Sequence, residues 1–476
     1  MPTFHIEQFG CRATQADGAA VERQLRLQGC SVALDSSTAE FVVINTCTVT
    51  AAADTQARDA IRKIHAANPL ARIIVTGCYA QRAPEDLASL PGVSYVVGNS
   101  HKPQIPSLVL SIQSNSSMSS NSEFLPLSLL EPAGTIAPPS AAPTLRGDIF
   151  ALSDVLVAPV LGGEGNHTRP TLKIQDGCNS RCSFCVIPFV RGKSRSLPVA
   201  TVVSEIQRLC DSGYKEIVLS GINLGAYGRD LSPRVEFPDL LRQILEETNI
   251  ERLRISSIEP LDVTRDLVAL FAASDRLAAH FHMPLQSASN PILAAMHRWY
   301  RSEHYARRVE FIHELLPLAA IGADVITGFP GETEEDHSTT LRFIESLPFT
   351  YLHIFSYSKR PGTKAATLPN QLAGSVIRRR ARELRALAEH KSAEFRAKQI
   401  GRELRVLTLR RDPSSSDPEA TPAISENYLT VQIPVAVPPN QFLWVTITDF
   451  NGKNLLASPL ELRFTGAEGV VSLERA

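Results

Sequence analysis

The chain has 476 residues, more than one hydrophobic core usually organises, and at about 150 residues per domain it predicts roughly three domains. Charged residues make up 20% and hydrophobic residues 43%, which excludes wholesale disorder, collagen-like repeats and disulfide-bonded miniproteins. Lysine and arginine number 48 against 49 aspartate and glutamate, so a protein whose whole surface is basic is excluded and any nucleic-acid contact must come from a local patch.

The N-terminus, MPTFHIEQFGCR, has no basic region followed by an apolar stretch, and the most apolar long run, residues 149–163, contains Asp154 and Pro159 and is too short to span a membrane. A cytoplasmic protein without membrane association is expected. In that reducing compartment Cys11, Cys30, Cys47, Cys78, Cys178, Cys182, Cys185 and Cys210 read as metal ligands or redox groups rather than disulfides.

In chain order, TFHIEQF, a helix from about Gly18 to Gln28, AEFVVINT, a helix from Asp54 to His65, RIIVTG and SYVVGN alternate as a small α/β parallel-sheet domain over residues 1–100 does. Residues 103–144 hold 17 serines and prolines and no lysine or arginine, which marks residues 101–166 as a linker or insertion. From Thr171 six strand–helix units follow (TLKIQD, EIVLSGI, RLRISSI, HFHMPLQ, ADVITGF and YLHIFSY), predicting a partial (β/α)6 TIM-like barrel over residues 167–399 with function at the loops after its strands. A basic helix over 376–399 connects it to ELRVLTLRR, NYLTVQIPV, FLWVTIT and LLASPLELRF, a small β-barrel over residues 400–470 with a turn at Asn451-Gly452.

The strongest motif is DGCNSRCSFCVIPFVRGKSRS, which spaces Cys178, Cys182 and Cys185 as C-x-x-x-C-x-x-C just after the first barrel strand. Three soft thiolates on one loop suit an iron–sulfur cubane with one iron left open for a substrate. Zinc is the competing metal, but a structural zinc site wants four ligands and His167 lies before the motif. Cys11, Cys47 and Cys78 are too widely spaced to form a motif, yet each ends a predicted strand (EQFGC, VINTC, IVTGC), and loops at that edge of a parallel sheet converge. They read either as ligands of a second cluster or as buried structural cysteines.

At the first of these motifs the sequence resembles the radical S-adenosylmethionine superfamily. That resemblance implies a 4Fe-4S cluster on Cys178, Cys182 and Cys185, the catalytic cysteines, with S-adenosylmethionine on the open iron. In order, INTCTVT, VTGCYAQ, LSGINLGAYG, RISSIEP, HMPLQSASNPILAAMHRWY, ADVITGFPGETEED and HIFSYSKRPGTKA resemble the methylthiotransferases, most of all the branch that acts on threonylcarbamoyladenosine in tRNA. The resemblance implies a second 4Fe-4S cluster on Cys11, Cys47 and Cys78, a C-terminal RNA-binding TRAM module, a tRNA substrate and an electron donor of reductase or flavodoxin type. It places Gly221 and Asn223 beside the methionine part of S-adenosylmethionine. The family's GCKVNQYESE reads GCRATQADGA here, so Thr14 stands where an asparagine is usual and changes the surroundings of Cys11.

Ser257, Glu259 and Gln286 end barrel strands and are expected at the mouth as cofactor-binding residues. His280 and His282 share a strand face and read as core histidines or metal ligands; Cys30 and Cys210 read as packing residues. Thr333 and Asp336 have capping-box spacing. Residues 371–412 hold 12 lysines and arginines against 5 acidic residues, an RNA-facing patch with Arg378, Arg379 and Arg380 at its head. Asn427 and Tyr428 are expected to touch RNA backbone and base, although Tyr428, Phe442 and Trp444 equally suit a barrel core. The expected activity is radical 2-methylthiolation of threonylcarbamoyladenosine by a monomeric enzyme. The alternatives are isopentenyladenosine in tRNA, a ribosomal-protein aspartate, or a non-catalytic iron–sulfur RNA-binding sensor.

Overall fold

The computed structural model describes residues 1–118, 141–160, 168–411, 420–458 and 463–464. His167 and much of the Ser/Pro-rich segment lie outside them. The chain forms two compact units, Met1–Ala158 with Val186–Lys193, and Pro159–Cys185 with Ser194–Ala476.

The first unit is a six-stranded parallel sheet of β1 (Thr3–Gln8), β2 (Ser31–Val32), β3 (Phe41–Thr46), β4 (Arg72–Gly77), β5 (Val93–Gly98) and β6 (Thr144–Leu145), in the order β2-β1-β3-β4-β5-β6. Its helices are α1 (Arg12–Leu27), α2 (Ala51–Ala67), α3 (Cys78–Arg82), α4 (Pro84–Ala88), α5 (Ile105–Met118) and α6 (Ile187–Arg191). Every residue of β3 is buried, as expected of a central parallel strand covered on both faces. Val42, Ile44, Ile73 and Val75 pack under Ala57 and Ile61 of α2. On the other face Val43, Ile74 and Val97 meet Val21 and Leu25 of α1.

The expected linker over 101–166 is corrected at its start. Residues Ile105–Met118 are helical, and Ile105 and Val109 are fully buried in the same core as Val21. Leu108, Val109, Ile112 and their neighbours supply an apolar face that the serine count concealed.

In the second unit, β7 (Pro159–Val160) and β9 (Arg195–Ser196) pair antiparallel with β8 (Thr171–Asp176). The barrel strands are β8, β10 (Glu216–Gly221), β11 (Arg252–Ile255), β12 (His280–His282), β13 (Ala320–Thr327) and β14 (Tyr351–Ser356). Parallel ladders join β8 to β10 to β11 and β12 to β13 to β14, and bridges Leu253↔Leu277 and Ser257↔His282 link the two sets. With α7 (Val199–Asp211), α8 (Phe237–Glu247), α9 (Arg265–Ala273), α10 (Asn290–Ala295), α11 (Ser302–Leu315), α12 (Glu334–Ser346) and α13 (Gly374–Ala397), this is the expected partial (β/α)6 barrel. Thr333 and Asp336 form the capping box of α12.

The C-terminal strands β15 (Glu403–Thr408), β16 (Thr421–Ser425), β17 (Thr430–Ile433), β18 (Phe442–Phe450) and β19 (Leu455–Ala457) close into a five-stranded barrel through a β15–β18 pairing, and β20 (Arg463–Phe464) adds to β18. Arg252 and Arg254 reach from β11 to the carbonyls of Ile424 and Ser425, at 3.0 and 2.9 Å, and tie this barrel to the larger one. Both guanidinium groups pair with Glu216, which is fully buried. No helix among the described residues is long and apolar enough to cross a membrane.

Candidate active site

In the first unit the three cysteines occupy equivalent positions at the carboxyl edge of the sheet. Cys11 precedes α1, Cys47 follows β3, and Cys78 opens α3 directly after β4. A Cβ on Gly10, whose φ is +103°, would overlap the Cys47 side chain, so glycine is required for the first two loops to meet. The Thr14 hydroxyl lies 3.5 Å from the Cys11 sulfur and accepts a bond from Arg191 at 3.3 Å. Asn99 donates to the Cys78 sulfur at 3.6 Å and to the Val190 carbonyl at 2.8 Å.

Beneath these thiols lies a buried charge cluster. Asp17 accepts from Lys102 and from Arg191, each at 3.0 Å, and Lys102 also donates to the Asn45 side-chain oxygen at 3.3 Å. Two buried cations share one buried carboxylate. Burial lowers the Lys102 pKa, while Asp17 and then Cys78 work to keep it charged. Burial, reinforced by Cys78, pushes the Cys47 thiol up to about 11, and Arg191 acts in the opposite direction. A thiol so placed stays protonated unless a metal takes the proton's place, and the excess cation suits the anionic, thiolate-ligated form. This donor set fits a cluster.

In the second unit, the loop after β8 is fixed at both ends. Ser183 donates its amide to the Met296 carbonyl at 3.0 Å and its hydroxyl to the Ala295 carbonyl at 2.8 Å. Before the cysteines, Gln175 donates to the Gly177 carbonyl at 2.8 Å and the Ser194 hydroxyl at 2.9 Å, and accepts the Asn223 amide at 2.8 Å. The Ser180 amide points at the Cys178 sulfur, 3.4 Å away. Arg298 donates to the Cys182 sulfur at 3.4 Å and forms an ion pair with Glu259. Burial raises the Cys182 pKa and Arg298 opposes it, the same thiol–cation arrangement as in the first unit.

A cavity of about 340 Å³ opens beside this loop, lined by Asn179, Ser180, Asn223, Glu259, Arg298 and Tyr300 among others. Its size suits a nucleoside-sized ligand. Among the described residues, the Asn223 side-chain oxygen is buried there with no hydrogen-bond partner, an acceptor open to a donor. Burial raises the Tyr300 pKa, so the phenol beside Arg298 stays neutral. The donor set and this orphaned acceptor fit a cluster with an amine-bearing ligand on its open side.

Of the expected cofactor residues, Asn223 and Glu259 line the cavity. Gly221 is not among the lining residues, and a Cβ there would come 3.0 Å from the Gln175 side-chain oxygen. Ser257 bridges His282, and Gln286 (φ +63°) bridges Val325, so both belong to strand connections outside the cavity lining. Gln175 and Arg298 were not anticipated, although Arg298 lies within the motif HMPLQSASNPILAAMHRWY.

Two of the expected RNA contacts, Arg380 and Asn427, are buried and are corrected. Arg380 is 3% exposed and pairs with Glu332 at 2.7 Å and Glu334 at 3.0 Å, so it holds the loop before α12 rather than facing solvent. Arg379 is exposed but paired with Glu334 and Glu383; Arg378 is exposed. Asn427, 2% exposed, donates to the Leu318 carbonyl at 3.2 Å and accepts the Ser425 hydroxyl at 2.6 Å. Tyr428 stacks on His280 with ring centroids 4.4 Å apart, and Arg254 lies 5.2 Å from the same ring. Asn427 is a packing residue between the two barrels, and half-buried Tyr428 packs beside it.

Residues 3–98 match the family described as "Uncharacterized protein family UPF0004", and residues 172–344 match the radical SAM superfamily. The chain is 37% identical to a threonylcarbamoyladenosine tRNA methylthiotransferase of Aquifex aeolicus, covering 90% of this chain and 95% of that protein. It is 34% identical to the protein of the same name in Bacillus subtilis, covering 90% of each. It is 35% identical to a tRNA-2-methylthio-N(6)-dimethylallyladenosine synthase of Thermobifida fusca, covering 87% of this chain and 79% of that one. Its fold is similar to that of a radical S-adenosylmethionine methyltransferase from Kitasatospora setae, with a TM-score of 0.54 at 16% identity over 76% of this chain and 74% of that one. The chain therefore belongs to the radical SAM methylthiotransferases, enzymes that use S-adenosylmethionine and two 4Fe-4S clusters to transfer a methylthio group.

Proposed function

We propose that this enzyme adds a methylthio group to carbon 2 of threonylcarbamoyladenosine in tRNA. The observation that carries the reading is the pairing of two trios of cysteines, the first beside buried Lys102 and Arg191 and the second beside Arg298, in a chain 37% identical to an enzyme of that name. Cys178, Cys182 and Cys185 hold the cluster that binds S-adenosylmethionine, and Cys11, Cys47 and Cys78 hold the second. When bound, these groups supply radical chemistry, which an aromatic C–H needs because it has no useful acidity for a general base.

The chain's own residues bind and orient. The Asn223 side-chain oxygen accepts from the ammonium of S-adenosylmethionine, its place fixed by the Gln175 bond to the Asn223 amide. Glu259 holds Arg298 against the Cys182 sulfur, where a charge-assisted hydrogen bond eases reduction of the bound cluster. Buried Lys102 and Arg191 offset the charge of the second cluster. Residues 1–100 form the domain of that second cluster, residues 167–399 the radical barrel, and residues 400–470 an RNA-binding module of TRAM type. The RNA surface begins at the exposed Arg378, the protein works as a cytoplasmic monomer, and a reductase or flavodoxin-like protein supplies electrons.

The test is nucleoside mass spectrometry of tRNA from a deletion strain with and without the restored gene. Loss and recovery of methylthio-threonylcarbamoyladenosine is expected. An unchanged amount of that nucleoside with loss of methylthio-isopentenyladenosine would assign the other tRNA substrate.

A further inference from the structure

We propose that His353, held by Asp324 and backed by His282 and Tyr351, binds the carboxylate of the adenine substituent and so selects the substrate. This rests on the reading of threonylcarbamoyladenosine given above.

The four residues meet on the inside of the larger barrel. Phe281 packs on Phe271 of α9, ring centroids 4.7 Å apart, so its neighbours His280 and His282 point to the opposite, inner face of the sheet. In register, His282 stands opposite Gly322 and Gly322 opposite Tyr351; two residues on, Asp324 stands opposite His353. A Cβ on Gly322 would overlap the Tyr351 ring, so this glycine lets the tyrosine lean across β13. Its hydroxyl thereby lies 2.7 Å from His280 Nε2 and 2.9 Å from His282 Nδ1.

Charge sets the direction of these bonds. Burial opposes ionisation of Asp324, but hydrogen bonds from His282 and His353 win and hold its pKa well below the usual carboxylate range. An ionised carboxylate only accepts, so His282 Nε2 donates to it at 2.9 Å and His353 Nδ1 at 3.2 Å. His282 Nδ1 then accepts from Tyr351, which in turn accepts from His280. Three of the four residues are thus committed to one another.

His353 differs. Its side chain is 57% exposed against 8% for His282, and with Nδ1 bound to Asp324 its Nε2 is the nitrogen that meets a ligand. An anionic oxygen of a ligand would accept from an Nε2–H on this ring. Phe355, two residues along the same strand and 43% exposed, meets His353 edge-on at 6.5 Å and gives an apolar face to a base.

One loop links this cluster to the cavity. Ser257 bridges His282, and Glu259, which lines the cavity, is two residues further along the chain, a step on the order of 7 Å. An adenine at the barrel mouth would send its substituent inward towards His353. A hydrocarbon substituent there would leave polar groups unanswered, the kind of mismatch that discriminates strongly. The ligand atoms of His282, Asp324 and His353 also lie within 4.8 Å of one another, a spacing that suits a divalent cation.

The experiment uses the reconstituted holoenzyme and two anticodon stem-loop RNAs, one with threonylcarbamoyladenosine and one with its carboxyl methyl ester. His353→Ala is expected to raise KM for the acid by about tenfold to a hundredfold, the range for losing a hydrogen bond to a charged group, with kcat little changed. The wild-type preference for acid over ester should vanish in this variant and partly return in His353→Gln. An equal effect on both RNAs, or none, would overturn the proposal. One equivalent of zinc per chain, lost in His353→Ala, would also overturn it in favour of a cation site. Failure of the wild type to turn over the acid RNA would remove the substrate reading itself.

Discussion

Arg298 stands 3.4 Å from the sulfur of Cys182 while the other end of its guanidinium pairs with Glu259. One side chain thus joins a proposed cluster ligand to the wall of the cavity beside it. Arg298→Met should retain iron, because all three cysteines remain, yet make the cluster harder to reduce. A charged hydrogen bond is worth about 1.5–3 kcal/mol, so formation of 5′-deoxyadenosine should slow by about tenfold to a hundredfold. Unchanged rate and potential would show that the contact is only structural.

The two cysteine trios should separate by function. Iron in the reconstituted enzyme should be about eight atoms per chain, the content of two cubanes, and about four in either Cys47→Ala or Cys178→Ala. Cys178→Ala should abolish formation of 5′-deoxyadenosine. Cys47→Ala should still form it but yield no methylthio product. Full iron in Cys47→Ala would return Cys11, Cys47 and Cys78 to the status of packing residues.

Glu216 is the acid on which Arg252 and Arg254 depend, and through them the docking of the C-terminal barrel. Burial opposes its ionisation, but Arg252, Arg254 and Arg169 outweigh it and Glu216 titrates far below an ordinary carboxylate. Its stabilising effect is therefore complete above the unfolded-state value near 4.5 and is lost only as pH falls below that value. Glu216→Gln leaves two buried cations uncompensated and should destabilise the unit by about 3–5 kcal/mol at pH 7. Thermal melts of the holoenzyme would measure it, and a shift within error would contradict the charge assignment.

Arg378 and Arg380 should behave oppositely although they are two residues apart. Arg378→Ala should weaken binding of tRNA and reduce the salt dependence by about 0.9 in the log–log slope, as for one lost phosphate contact. Arg380→Ala should leave that slope unchanged and lower thermal stability, because it breaks the buried pair with Glu332. Equal slopes in wild type and Arg378→Ala would remove this helix from the RNA surface.

The difference between those arginines explains what could be read from sequence. The barrel strands were legible because runs such as EIVLSG and ADVIT are apolar and regularly spaced, and Cys178, Cys182 and Cys185 because their spacing is local. The start of α1 was missed by six residues because it is capped by Cys11, whose side chain makes no capping bond, and opens with the polar Arg12 and Gln15. Helix α5 was missed because serines mask its apolar face. The strand TPAIS was missed because Pro422 argues against one; it is tolerated beside β17. Asn427 and Arg380 look like surface residues by type, and only the neighbours Leu318 and Glu332, distant in sequence, reveal their burial. The inner row of His282, Asp324 and His353 is likewise spread over three strands and invisible to any local pattern.

Turnover by the reconstituted enzyme of an anticodon stem-loop carrying threonylcarbamoyladenosine, read by nucleoside mass spectrometry, tests the assigned reaction. A methylthio product is expected that requires S-adenosylmethionine and reductant and disappears in both Cys47→Ala and Cys178→Ala. Formation of 5′-deoxyadenosine without any methylthio product from this RNA, under conditions where an isopentenyladenosine RNA is converted, would contradict it.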